Sequence, residues 1–263
     1  MSQDTSSGLQ KLKHLIQYIS LSIAILVVWQ ALSQSGFLNQ LLLPSPSRIA
    51  LTFRDLLLSG ALARHIGVSM ARVLAGFGIA AVLGLGLGIA IGLSRTLDRV
   101  TDLIIQLAKP IPPIAWIPLA ILWFGIGEQS KIYIIFLGAF FPVIINTIDG
   151  IRQTDHKFVE VARILAVPRL RFVRQVVLPG ALPAIMTGLR VGLMVAWMCV
   201  VAAELIAASS GIGYLIMDAR QLSQSDVVLV GMISIGVIGK VMDSLIKLLE
   251  RRLIGWKVAF SGN

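Results

Sequence analysis

The chain has 263 residues, 56% hydrophobic and 14% charged, with a mean hydropathy of +0.86 and a formal net charge of +10. A soluble domain carries roughly a quarter charged residues, and the apolar residues here come in blocks of about 20, the length that crosses a bilayer as a helix. The composition therefore excludes a soluble globular domain and points to an all-α polytopic membrane protein. The basic residues sit in short segments between the apolar blocks, where the positive-inside rule expects them, so the charge is no sign of a nucleic-acid partner.

Residues 1–14 read as a polar tail, followed by a transmembrane domain over 15–249 and a second tail over 250–263. The run from Leu15 to Leu32 exceeds a signal-peptide core and reads as an uncleaved first span, about 15–33. Leu43-Pro44-Ser45-Pro46 then leads into Ile49, Phe53, Leu56 and Leu57 at helical spacing, an amphipathic helix expected at the outer surface. The second span, about 73–93, carries Gly84, Gly88 and Gly92 in a G-xxx-G-xxx-G row, for packing within the chain or against another subunit. Ser94–Arg99 reads as a short inner loop.

The third span is interrupted. From Leu103 to Phe124 the chain is apolar, but Lys109, Pro110, Pro112 and Pro113, then Pro118, break it. Prolines remove backbone donors, and non-helical backbone at membrane depth survives only against protein or a watery cavity. Either the broken helix lines a pathway with Lys109 at its inner mouth, or residues 103–108 lie on the inner surface and the span begins near Pro110. A fourth span covers about 131–149, a fifth 184–207 and a sixth 227–248.

Between spans four and five lies a polar stretch, 151–183, holding Lys157, Arg163, Arg169, Arg171 and Arg174. It reads as two short helices and a turn. Asp155 is a candidate N-cap, and Phe158, Val161, Ala162 and Leu165 make one apolar face. Ala166-Val167 ends the first helix, Pro168 suits the first turn of the second, Leu178-Pro179-Gly180 stops it, and Pro183 starts another. With six spans, the inner segments hold thirteen Lys and Arg and the outer ones six. That excess puts both termini and the 151–183 loop in the cytoplasm.

No catalytic constellation is present. His14, His65 and His156 are far apart, the single Cys199 excludes an internal disulfide and makes no metal cluster, and no phosphate-binding Gly-rich loop occurs. Energy must come from a partner or an ion gradient. Glu204, near the outer end of span five, either faces the pathway or pairs with a basic group such as Arg72. Arg190 is expected to snorkel to the inner surface, and Lys240 to pair with Asp243, with Lys247 interfacial. Trp116, Trp123 and Trp197 are candidate aromatic walls.

Glu160-Val161-Ala162, Ala166, Val176, Leu178 and Pro179 resemble the EAA loop of permease subunits of ABC importers. Leu43-Pro44-Ser45-Pro46, Trp123-Phe124-Gly125-Ile126-Gly127, Leu178–Pro183, and Ala203-Glu204 with Gly211-Ile212-Gly213-Tyr214 resemble aliphatic sulfonate and taurine permeases, with nitrate permeases as relatives. The resemblance implies a type I importer fold in a bacterial inner membrane. It implies a homodimer, two ATPase subunits that hold ATP and magnesium outside this chain, and a periplasmic or lipid-anchored binding protein. It puts Glu160 to Pro179, Pro168 included, in an ATPase cleft, and Gly211, Gly213 and Tyr214 near the binding protein. Two positions depart from the loop: Val161 replaces a small residue and Ala166 a glycine, so a tighter or more helical turn is expected. The substrate implied is a small anion, a sulfonate or taurine, with nitrate, bicarbonate or a small heterocycle as alternatives. A secondary transporter driven by an ion gradient is the rival class, with Glu204 and Asp243 its only deep acids.

Overall fold

The computed structural model describes residues 20–21, 23–154, 160–162 and 164–254. Every regular element among them is a helix. In chain order these are α1 (Ile23–Gln34), α2 (Pro46–Leu58), α3 (Ala61–Leu93), α4 (Arg95–Ala108), α5 (Ile117–Phe124, preceded by a 3-10 turn at Pro113–Trp116), α6 (Glu128–Arg152), α7 (Arg169–Ala207), α8 (Ile212–Gln221) and α9 (Ser225–Leu253). Helices α3, α6, α7 and α9 are long and apolar enough to cross a membrane. Arg95–Ala108 and Pro113–Phe124 make a fifth span if counted together, although they meet at 87°. The expected first span survives in the described residues as the shorter apolar helix α1.

The chain forms two compact units: the described residues up to Ala63 with Leu215–Ile233, and Arg64–Tyr214 with Ser234 onward. In the first, Ser45 caps α2 by accepting from Arg48 N, and Pro46 occupies the first turn, where a missing N–H removes nothing. Only Ile49 of the expected apolar stripe is buried. Asp226 accepts from Arg48 Nε at 3.2 Å and from Thr52 Oγ1 at 2.9 Å.

The second unit is organised on α6. A Cβ on Gly138 or Gly150 of α6, or on Gly188 or Gly192 of α7, would lie 2.6–2.9 Å from an atom of the facing helix. A Cβ on Gly76, Gly84, Gly88 or Gly92 of α3 would lie 2.7–3.0 Å from Ile135, Val143, Thr147 or Ile151 of α6. The glycine row therefore serves packing within the chain, by letting backbones approach where any side chain would hold them apart.

Three boundaries differ from expectation. Ser94 accepts from Leu97 N and starts α4, so 95–99 is helix and not loop. The outer segment 208–226 contains α8. Leu178-Pro179-Gly180 does not end a helix. The chain runs helically from Arg169 to Ala207 for 39 residues, with a π turn at Val173–Val177 and Pro183 inside. Pro179 has no N–H to give residue 175 and its ring would crowd that carbonyl; the widened turn just before it absorbs the misfit.

Candidate functional site

The described residues of the polar stretch between α6 and α7, 160–162 and 164–170, form a largely exposed knob. Residues 160–162 and 164 are helical, while Asp155, Lys157, Phe158 and Arg163 lie outside the described residues. Leu165 N donates to Val161 O at 3.0 Å and Val167 N reaches back to Ala162 O at 2.9 Å. That long backward bond belongs to a helix ended by one left-handed residue, and Ala166 supplies it, with φ +50°. The alanine thus takes the conformation a glycine would adopt freely, at roughly 1–2 kcal/mol of local strain. The turn is not more helical than a glycine turn: Ala166 leaves the helical region and ends the helix in the left-handed conformation.

The knob's apolar side chains face outward. Val161, Ile164, Leu165 and Leu170 are 51–82% exposed, beside exposed Glu160, Arg169 and Arg171. Ala162 is half-buried and Pro168, exposed, caps α7 with extended backbone. Val176, Leu178 and Pro179 are half-buried and belong to the root. There Val177 packs with Ile151, Ala181 and Ile185, joining the end of α6 to the start of α7. An exposed apolar patch rimmed by charge is the kind of surface that engages a partner or a membrane.

A buried ion network occupies the far end of the same helices. Glu204, 1% exposed, accepts from Ser69 Oγ and Arg72 Nη1 at 2.8 and 2.7 Å and from Gly213 N at 2.9 Å. Arg72, 4% exposed, also donates from Nε and Nη2 to Glu128 at 2.6 and 2.7 Å, and to the Ser210 carbonyl at 2.7 Å. Lys131 Nζ meets Glu128 at 2.9 Å. Two cations and two carboxylates balance, as burial of charge demands. Of the two readings of Glu204, the pair with Arg72 is the one observed, and its enclosure removes it from the pathway candidates.

Gly211 and Gly213 are also buried. Gly211 has φ +114°, and a Cβ there would fall 2.2 Å from the Glu204 carboxyl; one on Gly213 would fall 2.6 Å from the Val201 carbonyl. Their size lets the backbone wrap the carboxylate. Gly211 N donates to His65 Nδ1 and Ile212 N to Ser69 Oγ. Tyr214 is half-buried, its ring 6.1 Å from that of His65. Sequence reasoning missed Glu128, Lys131 and Ser69. The available signal was the acid-to-lysine i,i+3 spacing at a helix start.

The remaining pathway candidates separate. Lys109, Pro110 and Pro112 are exposed at the 87° break, and Pro113 and Trp116 are half-buried. Lys109 opens on a polar cleft of about 280 Å³ with Asp98, Asp102, Gln106, Asp149 and Arg152, and Arg152 pairs with Asp98 across it. Trp197 does not line a passage. It is 4% exposed, packs on Gly239 and donates from Nε1 to the Ile235 carbonyl at 3.1 Å. Asp243 pairs with Arg190 at 2.5 Å and Lys247 at 2.9 Å, and Lys240 stays exposed. The acid-before-lysine order at i,i+4 is the better orientation on a helix, and Arg190 is drawn sideways to the acid instead of snorkelling.

Long apolar helices with an exposed polar segment between two of them define a polytopic membrane protein. The chain belongs to the family described as the binding-protein-dependent transport system inner membrane component, which matches residues 80–255; it is a multi-pass inner-membrane protein. It is 46% identical to a Bacillus subtilis permease protein named for aliphatic sulfonates transport, over 92% of this chain and 88% of that one. It is 36% identical to the taurine transport system permease protein of Escherichia coli, over 92% and 91%. It is 34% identical to a bicarbonate transport system permease protein of Synechococcus elongatus, over 94% of each. Its fold matches inward-facing structures of the MetNI methionine ABC transporter with a TM-score of 0.65, at 18% identity, over 73% of this chain and 95% of that one.

Proposed function

We propose that this chain is the permease subunit of an ATP-driven importer for a small anion, an aliphatic sulfonate or taurine, handed over by a periplasmic or lipid-anchored binding protein. Two copies pair, each with six spans and cytoplasmic termini. Two ATPase subunits, which carry ATP and magnesium, grip the knobs. The observation that carries this reading is the set of exposed apolar residues Val161, Ile164, Leu165 and Leu170 at the start of a 39-residue helical run, Arg169–Ala207. Such a helix is about 58 Å long, so a displacement of the knob at one face is delivered to the other. A ligand shifts an equilibrium only through different affinity for its two states; ATP, by closing the ATPase pair, supplies that difference. Glu204 and Asp243, the acids a gradient-driven carrier would need, are both held in ion pairs, which disfavours that rival.

The test is the assembled transporter in proteoliposomes. Glu160→Lys is expected to abolish substrate-stimulated ATPase activity while the protein inserts and assembles normally. Stimulation at the wild-type level would overturn the coupling role. Uptake of labelled taurine and short alkanesulfonates, against nitrate and bicarbonate, decides the substrate; preference for either inorganic anion favours the second reading, that the same machinery imports nitrate or bicarbonate.

A further inference from the structure

Helix α4, the first arm of the broken span, is amphipathic in a way the helix bundle does not use. Asp98 and Ile105 turn toward the other helices: Asp98 pairs with Arg152 at the end of α6, and Ile105 packs on Ile91, Ile144 and Ile148. These contacts bury no residue of α4. Leu97, Val100, Leu103, Ile104 and Leu107 are 44–66% exposed, and steps of three and four residues join them into one stripe along the helix. The polar residues are sorted by charge on either side of it. Asp98, Asp102, Gln106 and Lys109 line the polar cleft. Arg95 and Arg99, both exposed, run at i and i+4 in one row with Leu103 at the edge of the stripe.

What covers the stripe follows from the bend, the charges and the side-chain sizes. α4 meets the arm Pro113–Phe124 at 87°, so where that arm stands across the bilayer α4 lies along its surface. A helix in that position sinks its apolar face roughly 5–10 Å into the acyl boundary and holds anionic headgroups with its basic residues, whose long stems carry the charge outward. Here the arginines border the stripe, while the acids are turned to the cleft, where Asp98 is already paired. Membrane helices that pack on another subunit do so through small residues, and the stripe has none smaller than Val100. We propose that α4 is an interfacial helix in the leaflet on the knob's side, with acyl chains against the stripe and the phosphates of anionic lipid at Arg95 and Arg99. That this leaflet is the cytoplasmic one rests on the function proposed above; that α4 lies in it does not.

The experiment uses the full-length protein in vesicles of phosphatidylglycerol and phosphatidylcholine, with no ATPase and no substrate, so its outcome is independent of the transport reading. Leu97→Cys, Val100→Cys, Ile104→Cys and Leu107→Cys on the stripe, and Asp102→Cys and Gln106→Cys on the cleft side, each carry one spin label in a Cys199→Ala background. Collision with oxygen, which concentrates in lipid, and with a water-soluble nickel chelate gives each label's depth. The four stripe labels are expected to favour oxygen at one common depth, and the two cleft labels to favour nickel. A helix that crosses the bilayer would separate the labels at 97 and 107 by about 15 Å. That gradient overturns the proposal, and so does shielding of the stripe labels from both reagents, which a second protein chain over the stripe would produce. A photoactivated benzoylphenylalanine in place of Leu103 is expected to capture phosphatidylglycerol several-fold above its share of the vesicle, and Arg95→Gln with Arg99→Gln to return capture to that share. Capture in proportion to the vesicle lipid with both arginines present, or capture of another copy of the chain, overturns the proposal as well.

Discussion

Replacing Glu204 with glutamine would change two atoms' chemistry and almost no volume. In the native structure both carboxylate oxygens are acceptors: one takes Arg72 Nη1 and the other Gly213 N, with Ser69 Oγ within 2.8 Å of each. A glutamine offers one oxygen and one NH₂, so whichever way it turns a donor faces a donor, either the Arg72 guanidinium or the Gly213 amide. Arg72 keeps Glu128, but that carboxylate is half in solvent and already shared with Lys131. Removing one member of a buried pair costs about 3–5 kcal/mol. At roughly 2–4 °C per kcal/mol for a chain of this size, the unfolding midpoint of the detergent-solubilised protein should fall by at least about 6 °C. The assay is a fluorescence-detected thermal shift. Arg72→Met combined with Glu204→Gln removes both buried charges and should be less destabilised than the sum of the single variants. A glutamine variant as stable as the wild type, or a strictly additive double variant, would show that the network contributes nothing, and the reasoning would fail.

Two further perturbations test the packing and the knob. Ala166→Gly should relieve the left-handed strain by roughly 0.5–1 kcal/mol, slowing amide exchange across the knob several-fold with ATPase coupling intact; unchanged or faster exchange counts against strain at this position. Gly188→Ala puts a methyl 2.7 Å from Asn146 Cβ and 3.0 Å from the Pro142 carbonyl, whereas a Cβ at Gly78 meets open space. The first should destabilise by about 1–3 kcal/mol, and Gly78→Ala should be neutral or stabilising by up to about 1 kcal/mol. Equal thermal shifts for the two would refute the close approach of α6 and α7.

Several features were readable without coordinates because they rest on local chemistry. The turn at Ala166-Val167, the break at Lys109–Pro113 and the apolar helices follow from residue type and period alone. The Glu204–Arg72 pair was also within reach, since a carboxylate inside an apolar block requires a cation. Its full extent was not. Glu128, Lys131 and Ser69 are unremarkable in sequence, and they matter only because α3, the start of α6 and the end of α7 meet around the Arg72–Glu204 pair. Trp197 and Asp243 were misread for a related reason. In so apolar a chain the pattern does not reveal helix rotation, so it cannot say whether a tryptophan faces a passage or a neighbour, or which of several cations an acid meets.

Gly211 and Gly213 show the division most sharply. Their motif, with Ala203-Glu204, pointed to the transporter family, and the family match agrees. Their physical role, two missing side chains that let the backbone close over a buried carboxylate, is invisible until the loop is folded onto α7. Sequence by itself determined that the chain is helical, lives in a membrane and carries a polar knob, because hydrophobic length, proline chemistry and charge placement act within a few residues. Only the tertiary structure decided which glycines are spacers, which charges cancel and which side chains are left without partners, because those are set by contacts between separate helices.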